Sequence, residues 1–179
     1  MNKYFWLIVI LFSLNACKTT KDNQEVSDVK STEDSSVIME NCPENGECTL
    51  KVMKNSSLTI KEDTIGQWYP VIEKGEGMVI EFTFLKKGPE GTVDGDYSET
   101  LHFIIPNNTK QLNLKDTSLQ DVDLLFGKHC FCKGDAGYYK VKKGDLHILK
   151  TSKELTIDIT YIIDEITQET KQLTQTIKL

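Results

Sequence analysis

Apolar and polar residues alternate with a period of two along most of the chain. Met78, Ile80, Phe82 and Phe84 alternate with Val79, Glu81, Thr83 and Leu85, and Leu101, Phe103 and Ile105 alternate with His102 and Ile104. Leu155, Ile157, Ile159, Tyr161 and Ile163 form a third set, separated mostly by Thr156, Asp158 and Thr160. Successive side chains of a strand point to opposite faces, so this pattern predicts strands with one buried face. Shorter runs lie at Thr49–Met53, Ser57–Lys61, Gln111–Leu114, Tyr138–Val141 and Leu146–Lys150. Leu173, Ile177 and Leu179 share a face near the C-terminus, with Gln175 the exception.

Turn-forming clusters punctuate these runs: Gly75-Glu76-Gly77, Gly88-Pro89-Glu90-Gly91, Asp94-Gly95, Pro106-Asn107-Asn108 and Lys143-Gly144-Asp145. Short strands between such turns predict an all-β domain over residues 42–179: an antiparallel β-sandwich, Ig-like or jelly-roll-like, or a partly open barrel. One segment, Ser118–Phe126, carries Leu119, Val122 and Phe126 at helical spacing, so at most one short helix is expected.

The N-terminus follows a different pattern. Met1-Asn2-Lys3 precedes an apolar run from Tyr4 to Leu14 broken only by Ser13. Such a run has the size of a signal-peptide core and falls short of the roughly 20 residues needed to span a bilayer. It ends in Leu14-Asn15-Ala16-Cys17, which resembles the lipobox of bacterial lipoproteins. The resemblance covers residues 1–17 and implies diacylglyceryl transfer to the Cys17 thiol, cleavage after Ala16 and acylation of the new N-terminus. Two or three acyl chains suffice for stable anchoring, since each buried methylene contributes about 0.8 kcal/mol. Lys18 rather than Asp follows the cysteine, which by analogy with Gram-negative lipoproteins favours the outer membrane.

Residues 17–41, Cys17 included, read as a tether. The stretch from Lys18 is rich in Ser, Thr, Asp, Glu and Lys and too polar to offset the entropy of ordering, which predicts disorder. Its roughly 24 residues would span on the order of 25 to 30 Å as a flexible coil. Val37-Ile38-Met39, its one apolar cluster, reads as loop, with addition to the first strand as the alternative.

Loss of residues 1–16 leaves 20 lysines against 27 acidic residues, a net charge near −7, and the chain contains no arginine. An acidic surface without guanidinium groups repels a phosphate backbone, so nucleic acid is excluded as a partner.

Four cysteines remain besides Cys17: Cys42, Cys48, Cys130 and Cys132. An even number in an exported chain predicts disulfides. On an extended strand Cys130 and Cys132 would stand about 6.6 Å apart with parallel side chains, whereas bonded cysteines bring their Cβ atoms to about 3.8 Å. The preferred connectivity therefore joins the Cys42/Cys48 loop to the Cys130/Cys132 strand. That bridge would close a loop of roughly 90 residues, worth about 4.6 kcal/mol against about 2.4 for a 42–48 bond. A 42–48 bond with free Cys130 and Cys132 is the alternative. His129, Cys130 and Cys132 also form a candidate soft ligand set for Cu(I) or Zn(II). Against it, alternation sends His129 to the opposite face, and the spacing is not that of a zinc motif. No cofactor is expected.

Of the other histidines, His102 and His147 alternate with apolar neighbours and read as solvent-facing strand residues. Asp94-Gly95-Asp96-Tyr97-Ser98-Glu99 departs from the calcium-loop pattern at its fifth and sixth positions and reads as a charged hairpin tip. Trp68, Tyr69, Tyr138 and Tyr139 lie beside turns, where aromatics either cap the core or form a ligand-contact surface. No nucleophile elbow, zincin helix, phosphate loop or dinucleotide fingerprint occurs, and the scattered carboxylates show no pairing for an envelope hydrolase. The expected function is a non-enzymatic binding or structural accessory, lipid-anchored at the outer membrane on its periplasmic or surface face. It would contact the membrane through Cys17 and another envelope protein or a glycan through the folded domain. A metal-binding or thiol-redox role for Cys130 and Cys132 is the alternative.

Overall fold

The computed structural model describes residues 34–39 and 41–179; the expected signal peptide, Cys17 and the first part of the expected tether lie outside the described residues. The elements run β1 (Ser35–Ile38), β2 (Glu47–Glu62), β3 (Trp68–Lys86), β4 (Tyr97–Ile105) and β5 (Gln111–Lys115). A 3-10 helix (Asp116–Val122) follows, then β6 (Leu125–His129), β7 (Gly137–Lys140), β8 (Gly144–Lys150), β9 (Glu154–Tyr161) and β10 (Gln172–Lys178). They form two antiparallel sheets, ordered β1-β2-β3-β4-β6-β7 and β10-β9-β8-β5. This is the expected all-β sandwich, built as two separate sheets rather than a closed barrel.

Period-two alternation supplies the core. Leu50, Val52, Ile80, Phe82, Phe84, Leu101, Phe103 and Ile105 of the larger sheet belong to one buried cluster with Leu146, Ile148, Leu155, Ile157, Ile159 and Tyr161 of the smaller. Burying each such side chain contributes roughly 1.5–3 kcal/mol, so this interface is the main source of stability.

Three features differ from the sequence reading. The first is β1: Ser35–Ile38 is a strand rather than tether or loop, paired with β2 from Ser35↔Val52 to Ile38↔Thr49. It occupies the hydrogen-bonding edge of β2 that would otherwise be open, and Val37 packs against the core. The domain therefore begins about seven residues before residue 42. The second is the helix, which occupies Asp116–Val122 and leaves Phe126 to β6. Leu119 and Val122 are three apart, the 3-10 repeat, and both are buried.

The third is the β2–β3 hairpin. The two runs expected as separate strands form one continuous β2, and Gly75–Gly77 lies within β3 rather than in a turn. The ladder shifts register between Lys54 and Ser56, where Asn55 adopts φ 53°. An inserted residue bends a strand sharply. Beyond the bulge the hairpin folds across the outer face of its own sheet. There Leu58 and Ile72 join Met53, Val79 and Ile104 in a second, small apolar cluster. Glycine is required at the fold: a Cβ at Gly75 would lie 2.7 Å from the Ser57 nitrogen, and one at Gly77 2.8 Å from Ile104 Cδ1. At the far end Trp68 reaches β7, where the Lys140 ammonium sits 3.6 Å from its ring centroid.

Candidate functional site

The cysteines form two bridges, Cys42–Cys48 with Cα atoms 5.5 Å apart and Cys130–Cys132 with Cα atoms 5.2 Å apart. Cross-pairing between the two loops, the preferred expectation, is thus not what forms. Strand order explains why: Cys48 lies on β2 and Cys130 just beyond β6, with β3 and β4 between them. Three inter-strand steps are about 14 Å, beyond the reach of a disulfide. The objection to a 130–132 bond assumed an extended strand. β6 ends at His129, and the chain bends through Cys130 and Phe131, which shortens the Cα separation.

The two bridges differ in surroundings. Cys48 is buried under the sandwich and Cys42 packs on its core. Cys130 and Cys132 are both half-buried in the β6–β7 connection. A three-residue ring restrains the unfolded chain by about 1.6 kcal/mol, against about 2.4 for the seven residues of Cys42–Cys48. The ladder pairs Gly127↔Tyr138 and Lys128↔Gly137 already close the β6–β7 hairpin beneath the ring. Phe131, held between the sulfurs, is 98 % exposed, and Val93 in the neighbouring β3–β4 loop is 96 % exposed. Val93, Asp94, Ser98, His129, Cys130 and Phe131 line a shallow groove of about 400 Å³.

On the outer face of the larger sheet, polar and aromatic groups gather near the folded hairpin. His102, expected to face solvent, is only 4 % exposed: its alternation phase is the outer one, but that face is covered. Its Nε2 lies 3.2 Å from Glu81 Oε2, while its Nδ1 is buried without a hydrogen-bond partner. The Tyr138 ring stands between the two histidines, with centroids 6.3 Å from His102 and 5.1 Å from His129. Gly127 makes room for it, since a Cβ there would lie 2.6 Å from Tyr138 Cε1. The hydrogen bond with His102 holds the Glu81 carboxyl below its ordinary range. Burial, with the charge of His102 as a smaller cause, lowers the His129 imidazole.

The inner face carries a polar network that the sequence reading missed. Glu99 is fully buried. Its carboxylate accepts the backbone N–H groups of Glu169 and Thr170, each at 2.7 Å, and the hydroxyls of Tyr97 and Thr170. Because the Thr170 hydroxyl donates to Glu99, it accepts from Tyr161, 2.7 Å away. Burial, then the bond to Glu99, pushes the Tyr97 hydroxyl far above the usual tyrosine range, so it remains a donor. Lys128, 3 % exposed, places its three protons on Asp135 Oδ2 (3.2 Å), the Thr167 carbonyl (2.7 Å) and the Thr167 hydroxyl (3.1 Å).

The four candidate contact aromatics do not form one surface. Tyr138 lies on the outer face and Trp68 against Lys140. Tyr69 is exposed. Tyr139 faces the interior, packed on the core with its hydroxyl donating to the Asp135 carbonyl at 3.0 Å. His147 is exposed as expected, with Nδ1 2.8 Å from Asn113 Oδ1. In the acidic segment Asp96 accepts from Lys87 and from the Gly88 N–H, whereas Glu99 turns inward. Cys130 and Cys132 are bonded to each other, and His129 lies beside Thr100 and Tyr138. Among the described residues no group of three or more His, Cys, Asp or Glu side chains is placed to hold a metal ion. Compared with family models, curated proteins and solved structures, the chain shows no match.

Proposed function

We propose that this chain is a lipid-anchored cell-envelope lipoprotein that acts at the outer membrane as a non-enzymatic binding accessory. Anchoring rests on Leu14-Asn15-Ala16-Cys17 behind the apolar N-terminal run. The binding role is carried by one observation: two exposed apolar tips, Phe131 and Val93, sit together at one end of the sandwich. The chain enters the fold at the other end. Ser35 pairs with Val52, whereas His129 lies in line with Ser98, Leu85 and Glu47 across the sheet. Five residues of β2 separate those two levels, about 17 Å of strand. A tether leaving at Asp34 keeps the Phe131 end free to meet a partner, with the membrane held through the lipid on Cys17.

The test is incorporation of a labelled fatty acid in a bacterium with a lipoprotein pathway, followed by separation of the two membranes. Label on the wild-type chain in the outer-membrane fraction, and none on Cys17→Ser, is expected. A mature chain that begins upstream of Cys17 and carries no label rules the reading out.

A further inference from the structure

We propose that Cys130–Cys132 is an exchangeable disulfide that oxidises dithiols of other exported polypeptides, with Phe131 and the adjoining groove as the substrate contact. Three observations carry it. Cys130 lines the groove and is only half-buried, so the bridge borders the surface rather than being enclosed. The ring spans only Cys130, Phe131 and Cys132 and joins no two elements that the β6–β7 ladder does not already hold. Opening it therefore leaves the fold standing. The protruding Phe131 is an apolar contact for an unfolded chain, whose exposed cysteines lie among apolar residues. Exposed disulfides are the labile ones: Cys130 and Cys132 are both half-buried beside the fully exposed Phe131, whereas in the other bridge Cys42 is half-buried at a surface groove and its partner Cys48 is enclosed in the core cluster.

The exchange balances in two steps. A thiolate of the substrate attacks one sulfur of the pair, forming a mixed disulfide and releasing the other cysteine as thiolate, which takes up a proton. The second substrate thiol, deprotonated, then attacks the substrate sulfur of the mixed disulfide. Substrate leaves with one new disulfide, and Cys130 and Cys132 are left as two thiols: two electrons and two protons have moved from substrate to this chain. Exchange is independent of whether Cys17 is acylated.

The experiment uses the full chain, extracted from membranes in detergent, with graded dithiothreitol, alkylation of free thiols and peptide mass spectrometry. Cys130 and Cys132 should become labelled at least about tenfold faster than Cys42 and Cys48. In a second arm, a reduced, unstructured peptide with two cysteines should gain one disulfide per protein molecule. Phe131→Ser should slow that transfer several-fold while leaving reduction by dithiothreitol unchanged, and Cys130→Ser/Cys132→Ser should abolish it. Equal reduction rates for both bridges, a peptide left reduced, or a double variant that still oxidises it at the wild-type rate each overturn the proposal. The fatty-acid label reports on Cys17 separately, so failure of either reading is seen on its own.

Discussion

Glu99 on β4 and Lys128 on β6 stand opposite each other in register, both buried, and both reach into the β9–β10 loop. Glu99 takes the N–H of Thr170 at 2.7 Å, and Lys128 donates to the carbonyl of Thr167 at the same distance. Lys128 pairs with Asp135 rather than with Glu99, so each charge is compensated by its own partners. Together they tie residues 162–171, which connect strands of the smaller sheet, onto the larger one.

Glu99→Gln replaces one acceptor oxygen with an N–H₂ group facing backbone N–H donors. A buried donor left without an acceptor costs about 1–3 kcal/mol, so a loss of about 2–4 kcal/mol is expected. Lys128→Met should cost less, about 1–2 kcal/mol, because Asp135 is part-exposed and regains water. Urea unfolding at constant m-value checks both; a Glu99→Gln loss below about 0.5 kcal/mol would show that the tie is not structural.

The outer-face histidine cluster sets an acid limb. Both His129 and Glu81 are shifted down in the fold, so each contributes stability that is present above its unfolded value and lost as pH falls. Stability should decline first below the ordinary histidine value of about 6.5 and again below the ordinary glutamate value of about 4.3. His129→Gln should remove the upper step and Glu81→Gln the lower one. A pH series of urea midpoints for the two variants decides this; unchanged profiles would sever the link.

The folded hairpin has an optical reporter. The chain has two tryptophans, Trp6 in the N-terminal apolar run and Trp68, so in a chain lacking residues 1–16, as proposed for the mature protein, Trp68 is the sole reporter. Leu58 is 5 % exposed in the small cluster beneath the hairpin. Leu58→Ala should destabilise by about 2–3 kcal/mol and red-shift Trp68 emission in native buffer while far-UV circular dichroism keeps its β signature. An unshifted spectrum would mean that the hairpin is held elsewhere.

Asn55 occupies left-handed backbone at the bulge that starts the fold-over. Asn55→Gly should leave stability within about 0.5 kcal/mol, whereas Asn55→Val should cost about 1–2 kcal/mol, because a β-branched side chain clashes with the carbonyl there. Thermal unfolding separates the two, and equal effects would place the bend's origin in the glycines of β3.

How far the sequence could be read depended on distance along the chain. Alternation in Met78–Phe84, Leu101–Ile105 and Leu155–Ile163 identified the core face because it is a local property of each strand. Glu99 and Lys128 continue the inward phase of Leu101–Phe103 and Phe126, and that phase was the available signal. A charge near the end of a strand reads as solvent-facing, which hides Glu99 near the start of β4 and Lys128 near the end of β6. His102 had the correct phase, but its outer face is packed by Glu81 of the next strand and by the Tyr138 ring of β7, a neighbour set by strand order rather than by local pattern. The cysteine pairing hinged on strand order, which no local pattern encodes. Val37 looked like a loop until the open edge of β2 gave it a partner.

Both disulfides are short-range, spanning six and two positions. Neither staples one sheet to the other, so every long-range connection in the sandwich is non-covalent. Once the sheet has formed, a bridge between the two pairs would have to span three inter-strand steps, so pairing within each loop is what the fold accommodates. Redox conditions around the chain then act on the state of the β6–β7 loop, while the two sheets are held by their ladders and shared core.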